Sequence, residues 1–97
     1  MRVITKEKLR LFWDAHPDIK GSLEAWYKEA EHASWHSPED IKRRYPSADP
    51  ITGNRMVFNI KGNSYRLVVK IHYNTGFVYI RFVGTHAQYD RIDVENV

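Results

Sequence analysis

A chain of 97 residues is long enough for one modest core and too short for two, so a single domain over 1–97 is expected. With 42% hydrophobic residues, 13% aromatic and no cysteine, the composition excludes a disordered chain, a disulfide scaffold and thiolate metal sites. The net charge of +3 is small, but its placement along the chain carries information that the total conceals.

In chain order, "RVIT" reads as a short β segment, and Thr5 is expected to cap a helix whose apolar side is Leu9, Phe12 and Trp13. Pro17 suits a second helix start, followed by Ile19, Leu23, Trp26, Tyr27 and Ala30 at helical spacing. "SPED" at 37–40 predicts a third helix, with Ser37 as N-cap and Pro38 at its first position, which Pro46 must stop. "PSADPITGNR" reads as loop. From Met56 the period becomes two: Met56, Phe58 and Ile60, then Tyr65 to Tyr73, then Val78, Ile80 and Phe82. "KGN" and "NTG" turn the chain between them. The expected fold is α+β, with the N-terminal strand and two helices packed on an antiparallel β-meander. No stretch approaches the ~18 apolar residues of a membrane span, and "MRVITKEKLR" lacks a signal-peptide core. A soluble, cytoplasmic protein with no membrane partner is therefore expected.

Residues 1–54 hold nine Lys/Arg and nine Asp/Glu, whereas residues 55–97 hold six against three. No carboxylate occurs between Asp49 and Asp90, a gap that contains Arg55, Lys61, Arg66, Lys70 and Arg81. Solvated faces usually mix signs, so a cation-only stretch has the footprint of a phosphate-binding surface. Strand alternation puts Arg66, Lys70, His72, Tyr79 and Arg81 on the sheet face away from the helices, with no neighbouring acid.

After that stretch comes "GTHAQYD". Thr85 and Gln88 have capping-box spacing, which would put His86 at the start of a short turn with Tyr89 and Asp90 on the same side. A lone loop histidine is more often a bystander. Beside a cationic face, His86 becomes a candidate for proton transfer, with Asp90 free either to orient the ring or to pair with Arg91 or Arg81. His32 and His36 lack an acid or cysteine partner to complete a metal site, and none is expected. Clustered carboxylates for a two-metal nuclease or a glycosidase are missing, as are nucleophile-elbow and phosphate-loop motifs. RNA cleavage without metal fits what is present: a base near a 2′-hydroxyl, cations on the phosphate and an acid for the leaving oxygen. The same residues would bind DNA without cutting it.

"VFNIKGNSYRLVVKI" (57–71) and "YIRFVGTHAQYD" (79–90) resemble the HigB branch of the RelE-like toxins, and the outline matches over most of the chain. The resemblance implies a RelE-like fold and a ribosome-dependent mRNA endonuclease acting in the A site, without metal or small-molecule cofactor. It also implies a HigA-type helix-turn-helix antitoxin as partner. Carried over by motif, Arg66 and Arg81 would hold the scissile phosphate, His86 would act as base or acid, and Tyr89 would stack or share the proton transfer. Asn63 and Asp90 fall on the remaining motif positions. Lys70 and Tyr79 are added as RNA contacts from the face argument. The cationic set is leaner than in better-known relatives, and a histidine stands in the last segment. The competing expectation is a non-catalytic RNA-binding module that stacks bases on Phe77, Tyr79 and Tyr89. A third is a protein-interaction domain whose basic face docks an acidic partner such as the antitoxin.

Overall fold

The change of hydrophobic period at Met56 separates two layers in the computed structural model, which describes residues 1–97. The helical layer comprises α1 (Glu7–Ala15), a 3₁₀ turn at Pro17–Ile19, α2 (Lys20–His32) and α3 (Pro38–Arg44). The sheet contains β1 (Arg2–Ile4), β2 (Asp49–Ile51), β3 (Arg55–Ile60), β4 (Tyr65–His72) and β5 (Phe77–Thr85), and a last turn, α4 (His86–Tyr89), follows it. Strand order is β1-β5-β4-β3-β2. β1 runs parallel to β5 and the other neighbours are antiparallel, so the meander sits inside a mixed sheet.

The core lies between the layers. Leu9, Trp13, Ile19, Leu23, Trp26, Ala30 and Ile41 from the helices meet Met56, Phe58, Ile60, Leu67, Val69, Ile71, Val78 and Ile80 from the strands. Every strand residue in that set obeys the two-residue period, as a sheet with one covered face requires. Phe58 is its centre, with the rings of Tyr45, Trp26 and Trp35 at 5.1, 5.4 and 6.1 Å. Burying such a side chain stabilises the fold by roughly 1.5–3 kcal/mol.

Four local expectations are corrected. Thr5 does not cap α1: Lys6 occupies the N-cap position, and the Thr5 hydroxyl accepts from the Ile80 N–H at 3.1 Å, tying the chain to β5. Ser37 takes the N-cap position of α3 but its side chain makes no capping bond; the Asp40 carboxylate accepts from the His36 N–H at 2.9 Å instead. The segment read as loop contains β2, an edge strand pairing Asp49 with Val57 and Ile51 with Arg55. Its proline tolerates an edge position, where one side of the strand has no partner.

The fourth correction concerns β5. Val68 pairs with Phe82 while Val69 pairs with Ile80, which leaves Arg81 as the extra residue of a bulge. One inserted residue reverses the alternation beyond it. Phe82, expected in the core with Ile80, therefore turns to the other face, and Val83 packs against the core in its place. No helix is long and apolar enough to cross a membrane.

Candidate active site

Strand register composes the face away from the helices. Arg55 lies opposite Lys70, which lies opposite Tyr79; Val57, Val68 and Phe82 form the next row; Asn59, Arg66 and Gly84 form a third. Val57 and Val68 are buried yet stand outside the core cluster. They lie between two cationic ends and are themselves shielded from solvent. Arg81 leaves the bulge toward the same side, because its Nε donates at 3.3 Å to the main-chain oxygen of Val97, and Arg55 donates to that oxygen from Nε and Nη2. Arg66 and Arg81 thus share a side, toward opposite ends of it. The side-chain ion pairs of the molecule use other cations, leaving Arg66 and Lys70 without a paired carboxylate, while Arg55 and Arg81 both bond to the oxygen of Val97, the last residue of the sequence.

At the Arg66 end the surface deepens into a cleft of about 390 Å³ lined by Lys42, Asp49, Val57, Asn59, Arg66 and Tyr89, among others. Arg66 Nη1 donates to the Asn63 carbonyl at 3.3 Å, and its guanidinium carbon lies 5.9 Å from the centre of the Tyr89 ring. Asn63 thus contributes a main-chain oxygen in the turn, while its own side chain adds no hydrogen bond to the site. Lys42 Nζ donates to the carbonyls of Pro46 and Ala48 at 2.7 and 2.8 Å, and Asn59 Nδ2 to Ser47 at 3.3 Å. These bonds fasten the segment that brings Asp49 to the cleft. The expectation of a face with no nearby acid is corrected here, since Asp49 shares the cleft with Arg66. Lys61 leaves the cationic set altogether and pairs with Asp18 at 3.0 Å.

Burial, and then the Asp49 charge, hold the Tyr89 hydroxyl above the usual tyrosine range, with Arg66 opposing. Both leading causes disfavour the phenolate. At neutral pH Tyr89 is therefore a protonated phenol.

The turn that carries Tyr89 is built as its spacing predicts. Thr85 Oγ1 accepts from the Gln88 N–H at 3.1 Å, and Gln88 Oε1 accepts from the Thr85 N–H at 2.8 Å. His86 starts α4, its main-chain N–H donating to the Ser64 carbonyl at 3.2 Å. Its ring Nδ1 lies 3.2 Å from Asp90 Oδ2, so of the partners open to Asp90 the structure selects the histidine. His86 does not line the cleft. It stands exposed at the rim, one helical turn from Tyr89.

The structure therefore gathers the predicted residues into three groups. Arg66, Tyr89 and the Asn63 carbonyl meet at the cleft; Lys70, Tyr79 and Arg81 lie at the far end; His86 and Asp90 pair at the rim. Sequence reasoning missed Lys42, Asp49 and Asn59 as cleft residues and Arg55 as a partner of Arg81. Arg55 was legible, being in the carboxylate-free stretch and in phase with Val57. Lys42 and Asp49 come from α3 and the edge strand, and nothing local marks them. The largest cavity, about 780 Å³ between the end of α2 and α3, is lined by Lys28, His32, Trp35 and Arg43 among others. It opens on the helical side and contains none of these groups.

A family model described as HigB toxin, RelE-like toxic component of a toxin-antitoxin system, matches residues 19–92. The mRNA interferase toxin HigB of Escherichia coli (strain K12) is 32% identical over 92 residues, which cover 93% of this chain and 88% of that protein. The proteins named mRNA interferase HigB of Escherichia coli O157:H7 and Shigella flexneri match to the same extent. Fold and both comparisons agree, and the chain belongs to the HigB family of RelE-like toxins, the toxic components of toxin–antitoxin systems.

Proposed function

We propose that this toxin is an endoribonuclease that cuts mRNA on the ribosome, in the A site, by attack of the substrate's own 2′-hydroxyl, without metal or cofactor. The observation that carries the reading is the placement of Arg66 against Tyr89 in a cleft that continues a cationic face. Its relatives' names, mRNA interferase, support the same activity. In this mechanism His86, held through Nδ1 by Asp90, receives the 2′-hydroxyl proton on Nε2 as the oxygen attacks phosphorus. Arg66 and Arg81 stabilise the charge that develops on the phosphate oxygens. The bond from phosphorus to the 5′-oxygen breaks, and that oxygen takes a proton from the Tyr89 phenol, leaving a 2′,3′-cyclic phosphate on the upstream product. A HigA-type helix-turn-helix antitoxin, in the same cytoplasm, would neutralise it.

The test is to sequence RNA ends after brief induction without antitoxin. Wild type should arrest growth and leave cuts within translated messages. His86→Ala and Arg66→Ala should each lower cleavage by roughly 10²–10⁴-fold, the usual contribution of a positioned proton-transfer or charge-stabilising group. With purified translating ribosomes, chelating trace transition metals should not slow cleavage. Retention of full cleavage by both variants would overturn the site. The second reading, an RNA-binding module without chemistry, is favoured by one feature: the half-buried rings of Phe77 and Tyr79, 6.4 Å apart and with Tyr79 opposite Lys70, suit stacked bases without requiring a base or acid. It predicts salt-dependent binding and no new RNA ends.

A further inference from the structure

We infer that Asp49 makes the cleft beside Arg66 a pocket for one nucleobase of the RNA strand, and that the base it selects is guanine, read through its N1–H and 2-amino donors. The inference rests on the nuclease reading and adds to it a residue that decides which sequence is cut.

An acid is out of place on a surface that binds phosphate, because it repels the backbone that Arg66 attracts. Register nevertheless puts Asp49 there. It lies opposite Val57 in the β2–β3 pair, so it shares the face away from the helices, and Asn59, two residues on from Val57, is its diagonal neighbour. Asp49, Lys42, Ser47, Asn59, Arg66 and Tyr89 line one cleft. The Asp49 side chain is exposed and uncommitted. The ion pairs of the molecule use other acids, and so do the hydrogen bonds that end on a carboxylate.

Such a carboxylate needs a partner that donates hydrogen bonds. Within an RNA strand the donors are the 2′-hydroxyl and the N–H groups of the bases. A hydroxyl would need one acceptor, and the cleft presents more. Asn59 commits Nδ2 to the Ser47 carbonyl, which leaves its Oδ1 unused. Lys42 gives two of its N–H groups to the Pro46 and Ala48 carbonyls and keeps one. Two acceptors and a remaining donor complement the edge of a base. Guanine carries two N–H donors side by side, which a carboxylate takes bidentately, and its neighbouring O6 suits Lys42. Adenine and cytosine offer the carboxylate an amino group alone. Thymine and uracil offer one N–H between two carbonyl oxygens that a carboxylate repels. The volume, about 390 Å³, falls in the range of pockets that hold a small ligand, roughly 300–1,000 Å³. Tyr89 supplies a flat ring on which a base stacks, and Arg66 keeps the phosphate.

The test measures binding of a short thymine DNA strand with one central base varied, which offers bases and phosphates but no 2′-hydroxyl. Wild type should bind the guanine strand more tightly than the adenine, cytosine or all-thymine strand by roughly 5–150-fold, the discrimination of one bidentate base contact. Hypoxanthine, which lacks the 2-amino group, should lose most of that advantage. Asp49→Asn and Asp49→Ala should each abolish the preference for guanine without weakening the all-thymine strand, since a negative charge leaves the phosphate surface. Circular dichroism confirms that both variants are folded. A guanine preference that survives in the folded variants overturns the pocket, as does a change of affinity by the same factor for every strand. Wild-type cuts in translated messages should carry guanine at one fixed distance from the break. Cuts with no base preference overturn the pocket and leave the nuclease reading standing. A wild type that prefers the guanine strand but makes no cuts supports the pocket, and the nuclease reading falls.

Discussion

Arg66 owes its position to small features of its neighbours. It is aimed by the Asn63 carbonyl, faced by the Tyr89 ring and placed opposite Gly84 across the β4–β5 pair. At Gly84 a side chain has no room: a Cβ would stand 2.6 Å from Phe82 Cζ and 2.7 Å from Gln88 Oε1. Gly84→Ala must therefore push aside both the floor of the face and the glutamine that caps α4. The expected cost is about 1–3 kcal/mol, typical of overpacking, read as a lower melting temperature with cleavage reduced further than folding accounts for. The requirement for glycine was not legible in "FVGTHAQYD", because it arises from a bulge that turns Phe82 onto Gly84's side. The positions of Arg66 and Tyr89 were legible, since one follows from strand alternation and the other from a capping box.

Elements join through a few polar ties, and two of them are testable. The capping box of α4 fixes the turn that holds both His86 and Tyr89. Thr85→Ala removes the hydroxyl that accepts from Gln88 and should cost about 1 kcal/mol. Thr85→Ser, which keeps the hydroxyl, should restore both stability and cleavage. The 3₁₀ turn is tied to the β3–β4 hairpin by Asp18, whose carboxylate meets Lys61 at 3.0 Å and the Tyr65 hydroxyl at 2.9 Å. Hydrogen bonds from Lys61 and then Tyr65 hold Asp18 below the usual carboxylate range. A depressed folded value means that the tie contributes stability above the unfolded pKa, near ~4, and loses it as pH falls through the folded one. Asp18→Asn should accordingly melt below wild type at neutral pH, and the gap should close in acid. A melting-temperature series over pH checks this, and a gap constant into acid would contradict it.

The whole molecule is organised by the division of its sheet. One face is wholly committed to the core, where Phe58 is enclosed by Tyr45, Trp26 and Trp35. Phe58→Ala should cost about 3–5 kcal/mol by chemical denaturation, a large share of the stability of so small a domain. The other face is left to the cations. Arg66 and Lys70 share that face with no paired carboxylate, and an anion that occupies it relieves their repulsion.

The sequence by itself determined the layers, the order of the elements other than β2, the capped turn and the gathering of Arg66, Lys70 and Arg81 on one face. Those follow from hydrophobic period, turn residues and charge counts, all of which act over a few neighbouring positions. The tertiary structure alone decided that Asp49 and Lys42 enter the cleft, that β1 runs parallel to β5, and that Arg81 meets Arg55 instead of Arg66. Each of these depends on a register or a crossover between segments distant in the chain. A single bulged residue, with no signature of its own, is enough to exchange Phe82 for Val83 in the core.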